Sequence, residues 1–349
     1  MSVPGQAAGE IGASVRECPP SLPFSCVVVT LSASLTPQSA PSEKPRKEDA
    51  AVLPATIWRD PGDVSGLDIL NGSGGQSHAP DPRGPYTFVA EELGGTNPKF
   101  SVRDKAGVEW KVKLGPEVQC ETAATRLLWA AGYFVEEDYY LPELTIAGLP
   151  PLSRGAAAGP GGQVKGVRMK RHAADFKKLG TWDWFDNPFL KSREFSGLRI
   201  MMSMLNNWDL KDINNVVYDT GTERRYLVSD VGATFGNTGN YFTRSKNVLK
   251  EYDQSAFVGG PTSRGVDFVM HDRPFALTIV DFTHYLPHAR MEQIVKGIPR
   301  DDAAWLGRQL AKLSAEQIKD CFRAAGYSPA EVDGFAAVIR RRIAQLNAL

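Results

Sequence analysis

A polar loop, two short apolar runs and an acidic end follow one another within the stretch Asn206–Gly232. The apolar runs are Val216–Tyr218 and Tyr226–Val228, and the polar residues Asp219–Arg225 lie between them. Two such runs joined by a polar turn are typical of a β-hairpin. The stretch therefore predicts a loop, then a hairpin, then a strand that ends at Asp230.

Three strands and one helix are predicted upstream of this hairpin. The third strand alternates strictly between apolar and polar residues, which indicates one buried and one polar face. Its polar face carries Glu109, Lys111 and Lys113. The strands are Tyr86–Val89, Phe100–Arg103 and Val108–Leu114, and the helix is Glu117–Ala131, which Gly132 ends.

Helical periodicity dominates the second half of the chain. Two further strands, Tyr139–Ile146 and Val164–Lys170, precede a buried helix at Arg193–Asn206. Helices are then predicted at Ala303–Leu313, Ala315–Ala325 and Ala330–Leu346, with Ser314 and Ser328 as N-caps, Gly326 as a C-terminal stop and Arg340–Arg342 on a solvated face. The prediction is an α+β chain with a small strand-rich lobe at 58–170 and a larger helical lobe at 171–349.

The composition excludes several classes of protein. Among 349 residues, 40 Lys and Arg balance 40 Asp and Glu, which is unlike a basic nucleic-acid-binding protein. No apolar run approaches the roughly 20 residues that a membrane-spanning helix needs. The four cysteines show no CxxC spacing, which argues against a zinc site, and Cys120 and Cys321 are predicted to be buried apolar side chains.

The first 80 residues are rich in Gly, Pro, Ser and Ala, and we predict that residues 1–57 are disordered or signal-like. The apolar stretch Leu22–Leu35 resembles a weak secretory signal, since only Arg16 supplies positive charge before it. Both a cytoplasmic and an exported location remain open on this pattern.

The acids and amides of the stretch Asn206–Gly232 suit the transfer of a phosphoryl group. Such a reaction needs a cation on the phosphates, a metal ion that bridges them and a carboxylate that orients the attacking hydroxyl. We expect Asp209 to orient that hydroxyl, and Lys211 to reach the phosphate. Asn214 and Asp230 offer the hard oxygen ligands that Mg²⁺ prefers, and Gly232 is expected to let the chain turn sharply beside the metal.

Two upstream elements complete this prediction. A turn between the first two strands has backbone N–H groups that can approach phosphate oxygens; its residues are Gly94, Gly95, Thr96 and Asn97. Lys113 is the expected phosphate-binding lysine, with Lys111 on the same face as its competitor. The expected acidic partner of the lysine is Glu121, and Glu117 is the second choice.

In their order and spacing these residues resemble the protein-kinase-like superfamily. Asp209–Asn214 is similar to the kinase catalytic loop D-L-K-x-x-N, and Ser229–Gly232 is similar to D-F-G. The segment Lys113–Glu121 looks more like that of phosphoinositide kinases and HipA-like kinases, where the acid follows soon after the lysine. Asn207-Trp208 replaces the usual His-Arg, and the glycine turn is not G-x-G-x-x-G, so the resemblance is to an atypical, bacterial-type branch.

The resemblance implies a two-lobed kinase-like fold that uses ATP and Mg²⁺. The acceptor would be a hydroxyl of a protein, a metabolite or a lipid headgroup. Two alternatives stay open: a pseudokinase that binds nucleotide or a protein partner without turnover, and an adenylyl transferase on the same fold.

Overall fold

The computed structural model describes residues 53–154, 158–173, 175–238, 244–263, 265–270 and 289–349. The signal-like stretch Leu22–Leu35 and nearly all of the predicted segment 1–57 lie outside these residues. Residues 52–349 form one unit, with a sheet-rich N-terminal part and a helical C-terminal part. This confirms the predicted α+β class.

A closed five-stranded barrel forms most of the N-terminal part. The strands are β2 (Tyr86–Glu92), β3 (Lys99–Asp104), β4 (Glu109–Leu114), β5 (Asp138–Ala147) and β6 (Gln163–Arg171). Their order around the barrel is β2-β3-β4-β6-β5, and two parallel residue pairs between β5 and β2 close it. Phe100, Val102 and Met169 are fully buried in the apolar core of the barrel.

The first helix, α1 (Glu117–Ala130), packs against the barrel and is buried along most of its length. It begins directly after β4, across a sharp turn at Gly115, whose φ is 103°. A Cβ at this position would lie 2.9 Å from Asn97 Oδ1, so only glycine lets the turn between β2 and β3 approach the start of the helix. Lys113 and the acids of α1 are thereby brought to one place.

A second sheet joins the start of the described chain to the predicted hairpin. Its order is β1-β9-β8-β7, and its strands are β1 (Ala55–Thr56), β7 (Lys177–Gly180), β8 (Asn215–Asp219) and β9 (Arg224–Val228). β8 and β9 form an antiparallel hairpin, as the apolar runs predict, and β1 pairs with β9 in parallel.

The C-terminal part contains helices around a large apolar core. They are α2 (Arg193–Met204), α3 (Leu249–Gln254), α4 (Arg300–Leu310), α5 (Ala315–Arg323) and α6 (Pro329–Asn347), with a small hairpin of β10 (Val258–Thr262) and β11 (Gly265–Phe268). Residues 289–294 are also helical. Ser314 and Ser328 form capping boxes, which confirms both predicted N-caps.

One helix face differs from the prediction. The sequence predicts a solvated Arg342, but this residue is only 1 % exposed. Its guanidinium donates hydrogen bonds to Met204 O at 2.8 Å and to Asn206 Oδ1 at 2.9 Å, and it lies 4.3 Å from the Tyr252 ring centroid. The expectation is wrong because this face of α6 packs on the end of α2, where the last carbonyl groups of a helix need donors.

Among the described residues, no helix is both long enough and apolar enough to cross a membrane.

Candidate functional site

A cleft of about 470 Å³ lies between the barrel and the β8–β9 hairpin. Most of the residues predicted to be functional line it: Gly95, Thr96, Asn97, Lys111, Glu121, Asp209, Lys211, Asn214 and Asp230. Lys113 lies against this cleft through its contacts with Glu121 and Asp230. Gly94 is not among the lining residues.

Lys113 is fully buried and is surrounded by three carboxylates. Its Nζ lies 2.7 Å from Glu121, 2.6 Å from Glu117 and 3.3 Å from Asp230. Burial alone would lower the pKa of Lys113, but Glu121 and Asp230 outweigh it and hold that pKa above its usual value. The two acids that the sequence offers as alternative partners, Glu121 and Glu117, therefore both bind this lysine.

Lys111 makes a different contact from Lys113, although both lie on β4. Its side chain is 47 % exposed, and its Nζ pairs with Glu92 at 2.8 Å. It lines the open side of the cleft rather than its buried floor.

Two buried charged residues, Arg168 and Asp138, extend this ion-pair network beyond Glu121. The sequence predicts neither of them. Arg168 on β6 lies 3.4 Å from Glu121, and its Nη1 donates a hydrogen bond to Asp138 on β5 at 3.3 Å. Asp138 is fully buried, and this burial raises its pKa to about 6. Lys113 and Arg168 thus neutralise the two oxygens of one carboxylate from two different strands.

Asp230 lies two residues beyond the end of β9, so the strand is shorter than predicted, and its carboxylate faces cations of the barrel. Lys113 and Lys99 lie 3.3 and 3.9 Å from its two carboxylate oxygens. Burial would raise the pKa of Asp230, but these lysines more than offset that effect, and the pKa stays well below its usual range. Asp230 is therefore an anion at any pH at which the protein would work.

Gly232 is needed at its position for a reason that the sequence does not show. The sequence suggests that it allows a sharp turn, but its φ is not in the left-handed region. A Cβ there would lie 2.9 Å from the Cβ of Glu117, so the glycine lets the chain pack directly on α1. The thiol of Cys120 also donates to the Gly232 carbonyl at 2.9 Å, and Cys120 is buried as predicted.

The hairpin brings the two predicted metal ligands together. Asn215 pairs with Val228, so Asn214 and Ser229 lie next to each other at the open end of the hairpin. The backbone N–H groups of Ser229 and Asp230 both donate to the carbonyl of Asn214, at 2.8 and 3.3 Å.

The loop that precedes the hairpin is held by its own side chains. Asn214 Nδ2 donates to the carbonyl of Asp209 at 2.7 Å and to its carboxylate at 3.2 Å. Lys211 pairs with the same carboxylate at 2.6 Å. Within the described chain, the Oδ1 atom of Asn214 accepts no hydrogen bond, which leaves this oxygen available to another ligand.

The residues in place of the kinase His-Arg pair anchor this loop by other contacts. Asn207 is fully buried, and its Oδ1 accepts from the N–H of Asp209 at 3.2 Å. The indole N–H of Trp208 donates to Ser245 O at 2.9 Å, and the adjacent Lys246 forms an ion pair with Glu117. The sequence gives no indication of residues 245 and 246, because they are remote from every motif.

The predicted phosphate-binding turn lies at the mouth of the cleft. Arg154 donates hydrogen bonds to the carbonyls of Gly94, at 3.3 Å, and Gly95. Asn97 is buried, whereas Gly94, Gly95 and Thr96 are exposed.

Three carboxylates, those of Glu117, Glu121 and Asp230, have oxygens within 4.8 Å of one another, which is close enough for a metal ion. The ammonium group of Lys113 already lies among them, so a cation is present at this point. Asp230 also belongs to a second set of hard oxygens, with the free amide oxygen of Asn214, and this set suits Mg²⁺ or Mn²⁺.

Comparison with known proteins gives only distant similarity. No protein-family model matches the sequence, and no curated protein matches it significantly. The structure is similar to the proinflammatory kinase CtkA of Helicobacter pylori, at 11% identity over 74% of this chain and 97% of that chain, with a TM-score of 0.34. A Golgi casein kinase with Mn and ADP bound matches at 10% identity over 77% of this chain and 72% of that one, with a TM-score of 0.42. These scores are too low to support an argument about function, which therefore depends on the residues of the cleft.

Proposed function

We propose that the protein is a metal-dependent phosphotransferase of the protein-kinase-like superfamily that uses ATP. The observation that carries this proposal is the buried Lys113–Glu121 ion pair at 2.7 Å, with Asp230 at 3.3 Å from the same ammonium group. The hairpin register places Asn214 beside Asp230, so every charged role that phosphoryl transfer requires is filled within one cleft.

Each residue has a role that its contacts suggest. Lys113 is held by carboxylates in the floor of the cleft, where its ammonium group can bind phosphate oxygens. Asp209 would accept the proton of the attacking hydroxyl, and Lys211, 2.6 Å from it, would neutralise charge on the transferred group. Exposed N–H groups at Gly95 and Thr96 would cover the phosphates.

The donor set fits a divalent cation. Asp230 is held ionised by its lysines, and the Asn214 amide binds Asp209 through nitrogen, which leaves its oxygen for the metal. Asp230 and Asn214 would hold Mg²⁺, which would supply positive charge for the phosphates. Two protein ligands are sufficient, because Mg²⁺ usually keeps several waters.

The short separation between lysine and acid favours an atypical branch, similar to phosphoinositide kinases or HipA-like kinases. Lys113 and Glu121 are only 8 residues apart, so the helix that carries the acid follows the lysine strand directly. The acceptor is proposed to be a hydroxyl of a protein, a metabolite or a lipid headgroup.

Nucleotide binding without turnover is a second candidate, and one observation favours it. The carboxylate of Asp230 is already balanced by Lys113 and Lys99, so the folded cleft does not need a metal for its own stability. A pseudokinase would have the same contacts. Adenylyl transfer, with the nucleotide reversed in the same cleft, is a variant of the enzyme proposal.

Thermal unfolding in the presence of ATP and Mg²⁺ tests binding. Ligand at about 100 times its dissociation constant should stabilise the protein by about 2.7 kcal/mol. No shift at millimolar ATP would contradict both candidates.

Turnover is tested by ADP formation and by intact-protein mass spectrometry after incubation with ATP. The wild type should form ADP or gain a phosphoryl group, whereas a gain of an adenylyl group would identify adenylyl transfer. Asp230→Ala should abolish metal-dependent turnover, and Asp209→Asn should abolish turnover while it keeps nucleotide binding. Asp219→Asn, at the last residue of β8 and outside the cleft, is the matched control. Normal turnover by Asp209→Asn would refute the assignment of the base.

A further inference from the structure

A second cavity, of about 310 Å³, lies away from the cleft. It is bounded by the loop that follows α1, by the chain that leaves β6, and by residues of β8 and β9. Among the described residues, none lines both the cavity and the cleft. Its volume is at the lower end of the range for small-molecule sites, about 300–1,000 Å³.

One wall of this cavity is a stack of guanidinium groups and aromatic rings. The guanidinium of Arg59 lies 5.5 Å from the Phe134 ring centroid, and that of Arg225 lies 5.0 Å from the same ring. Arg225 also lies 5.1 Å from the Phe176 ring, which in turn contacts Tyr218 at 6.2 Å. Flat groups bind each other along this wall, so a planar ring in the cavity would find both aromatic and cation–π partners.

The cations of the cavity differ in whether they have partners. Arg59 and Arg225 both pair with Glu223, at 2.8 and 2.6 Å. Arg171 also lines the cavity, but its guanidinium forms no hydrogen bond or ion pair with any described residue. A guanidinium presents its donors in a planar fork that matches a carboxylate.

Each acidic side chain that lines the cavity already has a hydrogen-bond partner. They are Glu136 with the hydroxyl of Tyr218 at 3.1 Å, Glu137 with His78 Nδ1 at 2.9 Å, and Asp60 with the N–H of Gly62 at 2.9 Å. Among the charged side chains that line the cavity, Arg171 is therefore the one that has no hydrogen-bond or ion-pair partner within the described part of the chain.

We propose that this cavity is a binding site for a small planar aromatic carboxylate. The ring of the ligand lies against Phe134, Phe176 and the guanidinium between them, and its carboxylate binds Arg171. Neither group belongs to the phosphotransfer cleft, so the proposal does not depend on the function proposed for that cleft.

The cavity is connected to the cleft through one lysine. Glu136, in the cavity wall, lies 3.6 Å from Lys170, and Lys170 donates to the carbonyl of Ser229 at 3.1 Å, next to Asp230. Two contacts thus lead from Glu136 to Ser229, the residue that precedes the proposed metal ligand Asp230.

Calorimetric titration of the nucleotide-free protein with 2-naphthoate tests the site, and uncharged 2-naphthalenemethanol is the matched ligand. We expect one site for 2-naphthoate and weaker binding of the alcohol. Arg171→Gln should weaken 2-naphthoate binding by about tenfold or more, the loss expected for a hydrogen bond between charged groups, and should leave the alcohol unchanged. Arg103→Gln, an exposed arginine of β3, should change neither affinity.

Three results would overturn the proposal. They are no binding of 2-naphthoate at millimolar concentration, equal affinity in the wild type and Arg171→Gln, and competition by ATP with Mg²⁺, which would place the ligand in the cleft. Phe134→Leu provides a second variant that keeps the charge. It should weaken both ligands, because both lose the stacked ring.

Discussion

Replacement of Lys113 by Met tests how much the buried cation in the floor of the cleft contributes to the stability of the protein. The side chain of Lys113 is 1 % exposed and lies within 3.3 Å of three carboxylates. Removal of one partner from a buried ion pair typically costs about 3–5 kcal/mol, because the remaining charge is left uncompensated.

Each of the three acids keeps a second cation in the variant, which limits the loss. Glu121 keeps Arg168 at 3.4 Å, Asp230 keeps Lys99 at 3.9 Å, and Glu117 keeps Lys246. We therefore expect Lys113→Met to lower the free energy of unfolding by about 3 kcal/mol at pH 7.5, at the lower end of that range.

Lys111→Met is the matched control, because it makes the same change two residues away on the same strand. Lys111 is 47 % exposed and has one partner, so its removal should cost less than about 1 kcal/mol. The measurement is equilibrium unfolding in urea, followed by tryptophan fluorescence. Losses that agree within about 0.5 kcal/mol for the two variants would refute the reasoning, since that is the range expected of ordinary surface substitutions.

The same experiment has a predicted pH dependence. The pKa of Asp230 is lowered in the folded protein, so this group contributes stability above its ordinary pKa of 3.8, and that contribution is lost as the pH falls. Without Lys113 much of the contribution is absent. The difference between wild type and Lys113→Met should therefore be largest above pH 5 and should shrink below pH 4.

Three further predictions concern buried groups away from Lys113. Burial raises the pKa of Asp138 from 3.8 to about 6, so the folded state binds this proton more tightly and the free energy of unfolding should fall by about 2 kcal/mol as the pH rises from 4 to 6. In Asp138→Asn this part of the pH dependence should vanish, and an identical pH dependence of the free energy of unfolding in urea for the two proteins would contradict the prediction. Gly232→Ala should lower the free energy of unfolding by about 1–3 kcal/mol, because the alanine Cβ would lie 2.9 Å from Glu117 Cβ. An unchanged thermal midpoint would contradict this, since it would mean that α1 can shift away from the new methyl group without loss of stability. Arg342→Met should lower the free energy of unfolding by about 3 kcal/mol or more, because several buried acceptors lose their donor. Arg340 is exposed, so Arg340→Met should have almost no effect, and chemical unfolding of the two variants measures the difference.

The features that local sequence predicts well are those that depend on neighbours in the chain. The strand that carries Lys113, the helix after it and the capping serines of α5 and α6 all follow from periodicity and from residues within one turn. The proximity of Asn214 and Asp230 follows from the hairpin between them. The roles assigned to these residues remain predictions.

The burial of Lys113 could not be predicted, because strict alternation suggests that one face of a strand is solvated. Here β4 is part of a closed barrel, and α1 covers the end of its outer face, so Val112, Lys113 and Leu114 are all buried. Arg168 and Asp138 could not be predicted for a related reason. They are 30 positions apart in sequence and lie on two different strands, β6 and β5, and neither residue stands in a recognisable motif.

Gly232 shows that a correct motif can have the wrong physical explanation. The sequence assigns its glycine to a turn, whereas the structure requires close approach to a helix about 115 residues away. Only the position of that helix reveals the contact.

The strand edges of the barrel and of the four-stranded sheet bear on whether the protein can self-associate. An unpaired strand edge can recruit a strand from another molecule, and proteins limit this with closed barrels, very short edge strands or lysines on the edge. The barrel is closed by β5 and β2, β1 is only two residues long, and the other outer strand, β7, carries Lys177 and Lys178. Both sheets are therefore built to resist fibre growth by strand addition, even when the protein is concentrated.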